Sequence, residues 1–270
     1  MQQQPYKIGW FSTGRGEGSR NLLRSTWNSI IKGDTRAEIA FVFCNRVQGE
    51  HEGSDEFIKL VNSYSIPLVC VSSSKYKQEH PNEDWRSLFE AEVMQQLEPY
   101  QFSLGVLAGY MLVIGKEMCH KYPMINLHPA APGGPVGTWQ EVIWNLIETK
   151  AKETGAMMHL VTPILDGGPV VSYCKFSIRG RQFDRYWNEI KGLPLYEIQR
   201  HEGERSPLFI QIRKHGAARE IPLIVATIKA FSEGRIRIDG ERVIDIKGKP
   251  IKGYDLSKEI DNRVKGALCE

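Results

Sequence analysis

The feature that most constrains the fold of this chain is the alternation of short apolar segments with helical patterns. Strands are predicted at residues 7–12, 38–44, 66–71, 103–108 and 124–127. Helices are predicted at 19–31, 55–64, 83–97 and 138–150, with a short helix between 108 and 124. Further strands are expected at 156–162 and 170–176. Because nearly continuous apolar strands are buried on both faces, this order predicts an α/β fold with a mostly parallel sheet between helices.

The last third of the chain departs from this alternation. Residues 177–207 are polar, aromatic and charged, which predicts a partly helical insertion that covers a functional site or, with equal weight, a solvated excursion. A helix is expected at 208–231, and Asp239-Gly240 predicts a hairpin within 235–246. We expect one catalytic domain over residues 1–270, in which 234–270 form a C-terminal hairpin and a surface tail.

Composition narrows the class of protein. The 35 Lys and Arg residues nearly balance 32 Asp and Glu residues, for a net charge of +3, so a nucleic-acid partner is not expected. No apolar run is long enough to span a membrane, and residues 1–5 lack the pattern of a signal peptide. No pair of cysteines has CxxC spacing, which argues against a zinc site or a disulfide framework. We therefore expect a cytoplasmic, metal-free protein with reduced thiols, among them Cys44, Cys70, Cys119, Cys174 and Cys269.

A glycine-rich loop follows the first predicted strand and precedes the first helix. Such a loop lets the backbone approach an anion while the helix N-terminus offers free N–H groups, so a phosphate site is predicted here. The alternative is a flexible turn in which Ser19 caps the helix. The loop fits neither the dinucleotide fingerprint nor the Walker loop. The residues expected to hold phosphate are Gly14, Arg15, Gly16, Gly18, Ser19, Arg20 and Asn21.

Polar side chains at Asn126 and His128 follow a buried strand. At i, i+2 spacing both can point to the same side, where an amide and an imidazole can stabilise an oxyanion on a carbonyl carbon. The Asn45-Arg46 pair ends another predicted strand, so we expect it on the same rim of the sheet. Taken alone, Asn126 and His128 are better explained as a loop cap and a buried hydrogen-bonding histidine.

Asp166 lies in a Leu-Asp-Gly-Gly-Pro loop between two predicted strands. It can orient His128 and favour its charged form, or it can simply bond nearby backbone N–H groups. His159, within a predicted strand, is interpreted as a core histidine that supports the catalytic residues without acting on the substrate itself. Local sequence leaves both alternatives for Asp166 open.

Together these segments resemble the catalytic domain of the 10-formyltetrahydrofolate-dependent formyltransferases. The resemblance is strongest over Asn126-Leu127-His128-Pro129 and over the segment from His159 to Val170 that contains Leu-Asp-Gly-Gly-Pro. It also covers Cys44-Asn45-Arg46 and the segment that begins at Val106, and it weakens over 177–207. It implies a Rossmann-like, mostly parallel seven-stranded sheet with helices on both faces.

The resemblance also implies functions for particular residues. Asn126, His128 and Asp166 correspond to the catalytic set, which needs no metal, and the glycine loop corresponds to the acceptor-phosphate site. The co-substrate implied is 10-formyltetrahydrofolate. Its pterin is expected beside Tyr110, Met111, Leu112, Val113, Ile114, Thr162 and Leu165. The implied reaction is formyl transfer to the primary amine of a phosphorylated small molecule, with glycinamide ribonucleotide as the expected acceptor.

Several departures from the family pattern surround the substrates. Leu112 replaces an Arg that reaches the folate, and Ala217 stands where a Glu lies near the acceptor amine. The segment after Pro129 lacks a histidine-rich stretch. These differences leave an amino sugar nucleotide as an alternative acceptor, and a non-catalytic nucleotide-binding protein as an alternative of another class. The sequence does not predict an oligomeric state.

Overall fold

One twisted sheet organises the protein in a computed structural model that describes residues 4–81 and 84–268. Its strands are β1 (Tyr6–Ser12), β2 (Ala37–Cys44), β3 (Leu68–Cys70), β4 (Leu104–Leu107), β5 (Met124–His128), β6 (Glu153–Leu160), β7 (Val170–Ser177) and β10 (Tyr254–Asp255). They lie in the order β10-β7-β6-β5-β4-β1-β2-β3. The β5–β6 and β6–β7 pairs are antiparallel and the other pairs are parallel. The mostly parallel α/β sheet is thus confirmed, with an eighth strand beyond the seven expected.

Helices cover both faces of this sheet, as parallel strands require. The helices are α1 (Glu17–Ile31), α2 (Glu52–Ser63), α3 (Ser73–Glu79), α4 (Trp85–Leu97), α5 (Lys116–Lys121), α6 (Trp139–Glu148), α7 (Asp184–Glu189), α8 (Leu195–His201), α9 (Pro207–Ser232) and α10 (Ser257–Leu268). A hairpin of β8 (Ile236–Asp239) and β9 (Arg242–Asp245) follows α9. In the part of the chain that is described, no helix is long and apolar enough to cross a membrane.

The buried apolar side chains form three clusters. One joins the sheet to α1, α9 and α10, and includes Trp10 and Leu223. A second lies on the opposite face under α4 and α5, and includes Phe11 and Phe89. The third packs the 177–207 segment onto α6 and α9. Since β5 contributes Ile125 to the first cluster and Met124 to the second, successive β5 side chains alternate between the faces.

Most predicted elements are present with shifted ends. Helix α2 begins three residues earlier than predicted, because the His51 side chain accepts a hydrogen bond from Gly53 N and caps it. Helix α6 begins after Thr138, whose hydroxyl forms a capping box with Glu141. Helix α3 was not predicted from the sequence. Glu83, the expected first residue of α4, lies outside the described residues, and Asp84 caps the helix instead.

The expectation that the chain ends in a surface tail is wrong. Strand β10 pairs with β7, and α10 packs on α9 and β7 with Ile260 fully buried. The Arg219 guanidinium of α9, which is almost fully buried, donates to Asp261 of α10 through Nη2 at 2.8 Å and Nε at 3.2 Å. The α10 helix therefore completes the core on this face. Cys269 lies beyond the described residues.

The 177–207 segment is partly helical, as expected, and carries α7 and α8. It is anchored to the body of the protein by Trp187, whose indole N–H donates to Ile178 O at 2.6 Å while the Arg179 guanidinium stacks 3.7 Å from its ring centre. Ile198 and Phe183 are buried in the third cluster. The segment is thus packed against α6 and α9 and is not a solvated excursion.

Candidate active site

Strand β5 carries the first two predicted catalytic residues inside the strand, not after it. Asn126 and His128 lie two positions apart, so their side chains share the face of the sheet that carries α4 and α5. The residue paired with Asn126 on β6 is His159. The three polar side chains therefore occupy one face, and His128 and His159 are both almost completely buried.

Asp166 reaches the same place by a route that the sequence did not indicate. Strand β6 runs antiparallel to β5, with Leu160 opposite Ile125, so its carboxyl end lies at the amino end of β5. The loop that carries Asp166 therefore leaves β6 at the rim opposite to the carboxyl end of β5. The 161–169 loop then brings Asp166 back over the sheet face to His128 and His159.

The glycines of the Leu-Asp-Gly-Gly-Pro motif make this return possible. A Cβ atom on Gly168 would lie 1.8 Å from the Leu160 carbonyl oxygen, so only glycine fits there. Asp166 itself has a φ of 51°, a left-handed conformation that Asp tolerates better than most residues. The motif therefore shapes a turn that holds a carboxylate against two imidazoles.

The Asp166 carboxylate lies between two histidines. Its Oδ2 is 3.6 Å from His128 Nδ1 and its Oδ1 is 3.4 Å from His159 Nε2. The Gly137 N–H also donates to Oδ2, at 3.4 Å. With only 7% of its side chain exposed, this carboxylate interacts with charge on the imidazoles far more strongly than a carboxylate in water.

His159 sets the orientation of Asn126. Burial lowers the pKa of His159 below its ordinary value, which favours the neutral ring near pH 7. Its Nδ1 lies 3.0 Å from Leu160 O, so the single proton belongs on Nδ1 and Nε2 is left as an acceptor. Asn126 Nδ2 lies 3.1 Å from that Nε2 and donates one N–H to it. The second N–H of the amide remains for a ligand.

A second contact binds His128 to the loop that follows β5. His128 Nε2 lies 2.9 Å from the Pro135 carbonyl oxygen, to which it donates. The same loop donates its Gly137 N–H to Asp166, so it is attached to the site at two points. Both nitrogens of His128 thus face protein acceptors, and a ligand that bonds Nε2 must displace Pro135. Sequence reasoning missed this contact, since it is made by a backbone carbonyl.

A pocket opens beside these residues and contains most of the predicted folate positions. It is lined by Asn126, His159 and Asp166 on one side. The apolar remainder includes Tyr110, Leu112, Val113, Ile114, Thr162 and Leu165. Met111 is placed differently: its backbone N–H donates to Thr13 Oγ1 at 3.0 Å, and its side chain is exposed. The pocket thus has a polar end at Asn126, His159 and Asp166 and mostly apolar walls elsewhere, and His128 lies behind Asp166, outside the pocket lining.

The glycine loop forms the start of α1, with Gly16 as the N-cap, so the alternative that Ser19 caps the helix is wrong. Gly14 is buried with a φ of 68° and packs on Phe57. Arg15, Gly16 and Gly18 are exposed, and Ser19 lies against Gly109. Two of the predicted phosphate ligands have protein partners: Arg20 donates to Gly53 O at 3.2 Å, and Asn21 accepts from Arg24 at 2.6 Å.

Thr13 connects this loop to the folate segment. Its N–H donates to Gly109 O at 3.0 Å, and its hydroxyl accepts from Met111 N. Sequence reasoning missed this residue, although it begins the glycine loop. Asn45 directly follows β2, donates from Nδ2 to Ser73 Oγ and is buried, so its position after the end of a strand is as expected. Across residues 4–81 and 84–268, no three His, Cys, Asp or Glu side chains are grouped to hold a metal ion.

Comparisons with known proteins identify relatives of this chain. Residues 13–182 match the formyl transferase family. The phosphoribosylglycinamide formyltransferase of Schizosaccharomyces pombe is 29% identical over 167 residues, which cover 59% of this chain and 77% of that protein. The formyltetrahydrofolate deformylase of Bacillus subtilis is 29% identical over 141 residues, 52% of this chain and 41% of that protein.

A solved structure extends the similarity to nearly the whole fold. The phosphoribosylglycinamide formyltransferase of Coxiella burnetii superposes with a TM-score of 0.66 at 23% identity, covering 93% of this chain and 99% of that one. The family match includes the glycine loop, Asn126, His128 and Asp166, and it spans more than half of the chain. The chain therefore belongs to the formyl transferase family.

Proposed function

We propose that this protein transfers the formyl group of 10-formyltetrahydrofolate to the primary amine of a phosphorylated small molecule, and that the acceptor is glycinamide ribonucleotide. The observation that carries the proposal is the carboxylate of Asp166 held between His128 and His159 at the polar end of an apolar pocket. The relatives named phosphoribosylglycinamide formyltransferase support the choice of acceptor.

The pocket suits a pterin because its walls are apolar and its polar groups converge at one end. A formyl group attached to the folate would then lie near Asn126 and His128. As the amine attacks the formyl carbon, negative charge develops on the formyl oxygen. The free N–H of Asn126 and the Nε2–H of His128 are the donors for that charge, once the Pro135 carbonyl has left Nε2. One such donor typically contributes about 3–4 kcal/mol to the transition state.

Asp166 orients His128 and takes part in the proton transfer of the reaction. Its Oδ2 faces His128 Nδ1 and so fixes the ring with Nε2 directed away from Asp166, toward the formyl oxygen. The attacking amine must lose a proton, and Asp166 is the carboxylate at the polar end of the pocket that can accept it. When the bond between the formyl carbon and the folate nitrogen breaks, that nitrogen gains a proton and tetrahydrofolate leaves.

The phosphate of the acceptor fits the start of α1. Gly16 and Gly18 are exposed there, and the first turn of the helix offers N–H groups without intrahelical partners. Thr13 joins this loop to the folate segment, so the two substrates would lie on neighbouring surfaces. Arg15 is exposed beside the loop and can add a charge-assisted contact.

The proposal is tested by measuring release of tetrahydrofolate from 10-formyltetrahydrofolate with three acceptors: glycinamide ribonucleotide, an amino sugar nucleotide and water alone. We expect formylated product and turnover with glycinamide ribonucleotide only. Turnover with the amino sugar nucleotide alone would keep the chemistry and change the acceptor. Equal release of tetrahydrofolate without any amine would favour hydrolysis, the activity named for the deformylase relative. No turnover with any of the three would contradict formyl transfer.

A further inference from the structure

Two cysteines lie side by side at the carboxyl ends of neighbouring strands. Cys44 is the last residue of β2, Cys70 is the last residue of β3, and the two are paired in the parallel ladder. Neighbouring strands are about 4.8 Å apart, which lies within the range of about 4.4–6.8 Å that disulfides require between Cα atoms. The backbone therefore already holds these residues at a separation that an S–S bond can span.

The side chains of the two residues also point the same way. Cys44 belongs to the apolar cluster beneath α1, and Cys70 packs against that cluster from its edge. The adjacent Cys44 thiol lowers the pKa of the Cys70 thiol. Cys44 is fully buried, whereas Cys70 is only partly buried on the edge strand. A reagent in solution therefore reaches Cys70 first.

The Cys44 thiol has a structural contact of its own at the glycine loop. Its Sγ lies 3.8 Å from the carbonyl oxygen of Thr13, to which the S–H donates, and Ser54 Oγ donates to the same oxygen at 2.9 Å. Thr13 in turn bonds Gly109 and Met111. Any change that turns Cys44 away from Thr13 removes one of the two donors that hold this carbonyl.

We propose that Cys44 and Cys70 form a redox-modification site, at which a low-molecular-weight disulfide oxidises the two thiols to an intrachain disulfide and thereby loosens the glycine loop at Thr13. In the first step the Cys70 thiolate attacks one sulfur of glutathione disulfide, and one glutathione leaves as its thiol. In the second step Cys44 loses its proton and its sulfur attacks Cys70 Sγ, which expels the second glutathione. Two protein thiols are oxidised and one external disulfide is reduced to two thiols.

The experiment equilibrates the full-length protein with glutathione buffers of increasing oxidised fraction, blocks the remaining thiols with N-ethylmaleimide and maps the peptides by mass spectrometry. We expect a single new linkage between the Cys44 and Cys70 peptides, a mass decrease of two hydrogen atoms before blocking, and full reversal by dithiothreitol. Cys70→Ser must abolish the linkage. Cys119→Ser, which removes a partly buried thiol on α5, must leave it unchanged.

Amide hydrogen exchange tests the consequence for the loop without any activity assay. In the oxidised protein we expect faster exchange in the peptide that covers residues 12–18 and unchanged exchange in α10. Persistent glutathione adducts on Cys70 without a Cys44 linkage would overturn the disulfide, as would complete blocking of both thiols in the most oxidising buffer. A linkage that leaves exchange at residues 12–18 unchanged would overturn the loosening of the loop.

Discussion

His128 Nδ1 lies 3.6 Å from the Oδ2 atom of Asp166, although His128 is the last residue of β5 and Asp166 lies in the loop that leaves β6 beside the first residues of β5. The pair is almost sealed from solvent, with side-chain exposures of 3% and 7%. Electrostatic interaction between the two side chains is therefore strong, and we expect them to act as one unit in catalysis.

The first prediction follows from that pairing. His128→Ala and Asp166→Asn should each lower kcat by about 10²–10³-fold while the dissociation constant of the folate stays within about threefold, because the lost interaction acts on charge that appears only in the transition state. The double variant should lose little more than either single variant. Turnover, folate binding and melting temperature are measured for all three. Independent, additive losses would contradict the coupling.

The second prediction concerns the acceptor that orients the Asn126 amide. His159→Phe removes the Nε2 atom that receives the Asn126 N–H, so the amide loses its fixed orientation. We expect kcat to fall about tenfold, the effect of roughly one hydrogen bond of 1 kcal/mol or slightly more. His159→Gln, which can present an amide oxygen to Asn126, should recover part of that loss. Equal activity of the Phe variant and the parent would show that Asn126 needs no such partner.

The third prediction tests the glycine loop by changing Gly53, which packs against the backbone of that loop. A Cβ atom on Gly53 would lie 1.9 Å from the Arg15 carbonyl oxygen, so Gly53→Ala must displace the loop backbone. We expect the KM for the phosphorylated amine to rise about tenfold or more, with the KM for the folate unchanged. Gly266→Ala, on α10 with open space around the added methyl group, is the control and should leave both constants unchanged. A parallel rise in both KM values would argue against a phosphate site there.

The sequence predicted which residues meet at the site better than it predicted how the fold brings them together. The types and order of Asn126, His128 and Asp166 were recognisable because each lies in a short motif with a physical reason for its glycines or proline. The direction of β6 could not be predicted, because the sequence pattern of this eight-residue strand is the same for a parallel and an antiparallel pair. The contact between His128 and the Pro135 carbonyl could not be predicted either, because every residue has a backbone carbonyl and the sequence does not show which one is used.

The C-terminal segment shows a second reason why part of the fold could not be predicted from the sequence. Residues 254–268 are polar in most positions, and their buried apolar side chains include Leu256, Ile260, Val264 and Leu268. A spacing of four residues indicates one face of a helix, but the sequence does not show what that face packs against. The partner is α9, and the contact is fixed by the buried Arg219 of that helix. Its counter-ion, Asp261, is distant in the sequence and becomes a neighbour only in the folded protein.

The fourth prediction concerns stability in acid. Burial, together with the nearby Arg219 and Lys214 charges, lowers the pKa of His215 to about 4 from an ordinary value of 6.5. The unfolded chain therefore binds this proton first, and the free energy of unfolding should fall as the pH drops from about 6.5 to about 4, by about 1–3 kcal/mol in total. His215→Gln should flatten this pH dependence, as measured by urea unfolding at several pH values. An unchanged slope in the variant would assign the acid sensitivity to other groups.

The fifth prediction tests whether α10 is part of the core. Asp261→Asn removes the charge that faces Arg219, whose side chain is only 8% exposed, and leaves that guanidinium without its counter-ion. Because an unpaired buried charge is costly, the free energy of unfolding should fall by about 2–4 kcal/mol. Glu259→Gln breaks an exposed ion pair with Arg263 on the same helix and should cost less than about 0.5 kcal/mol. Urea unfolding gives both values, and hydrogen exchange in α10 should accelerate only for the Asp261 variant. If both variants unfold alike, the Arg219 contact does not hold α10 to the body of the protein. If Asp261→Asn loses stability while α10 keeps its protection, the charge acts on the fold as a whole and not on the attachment of this helix.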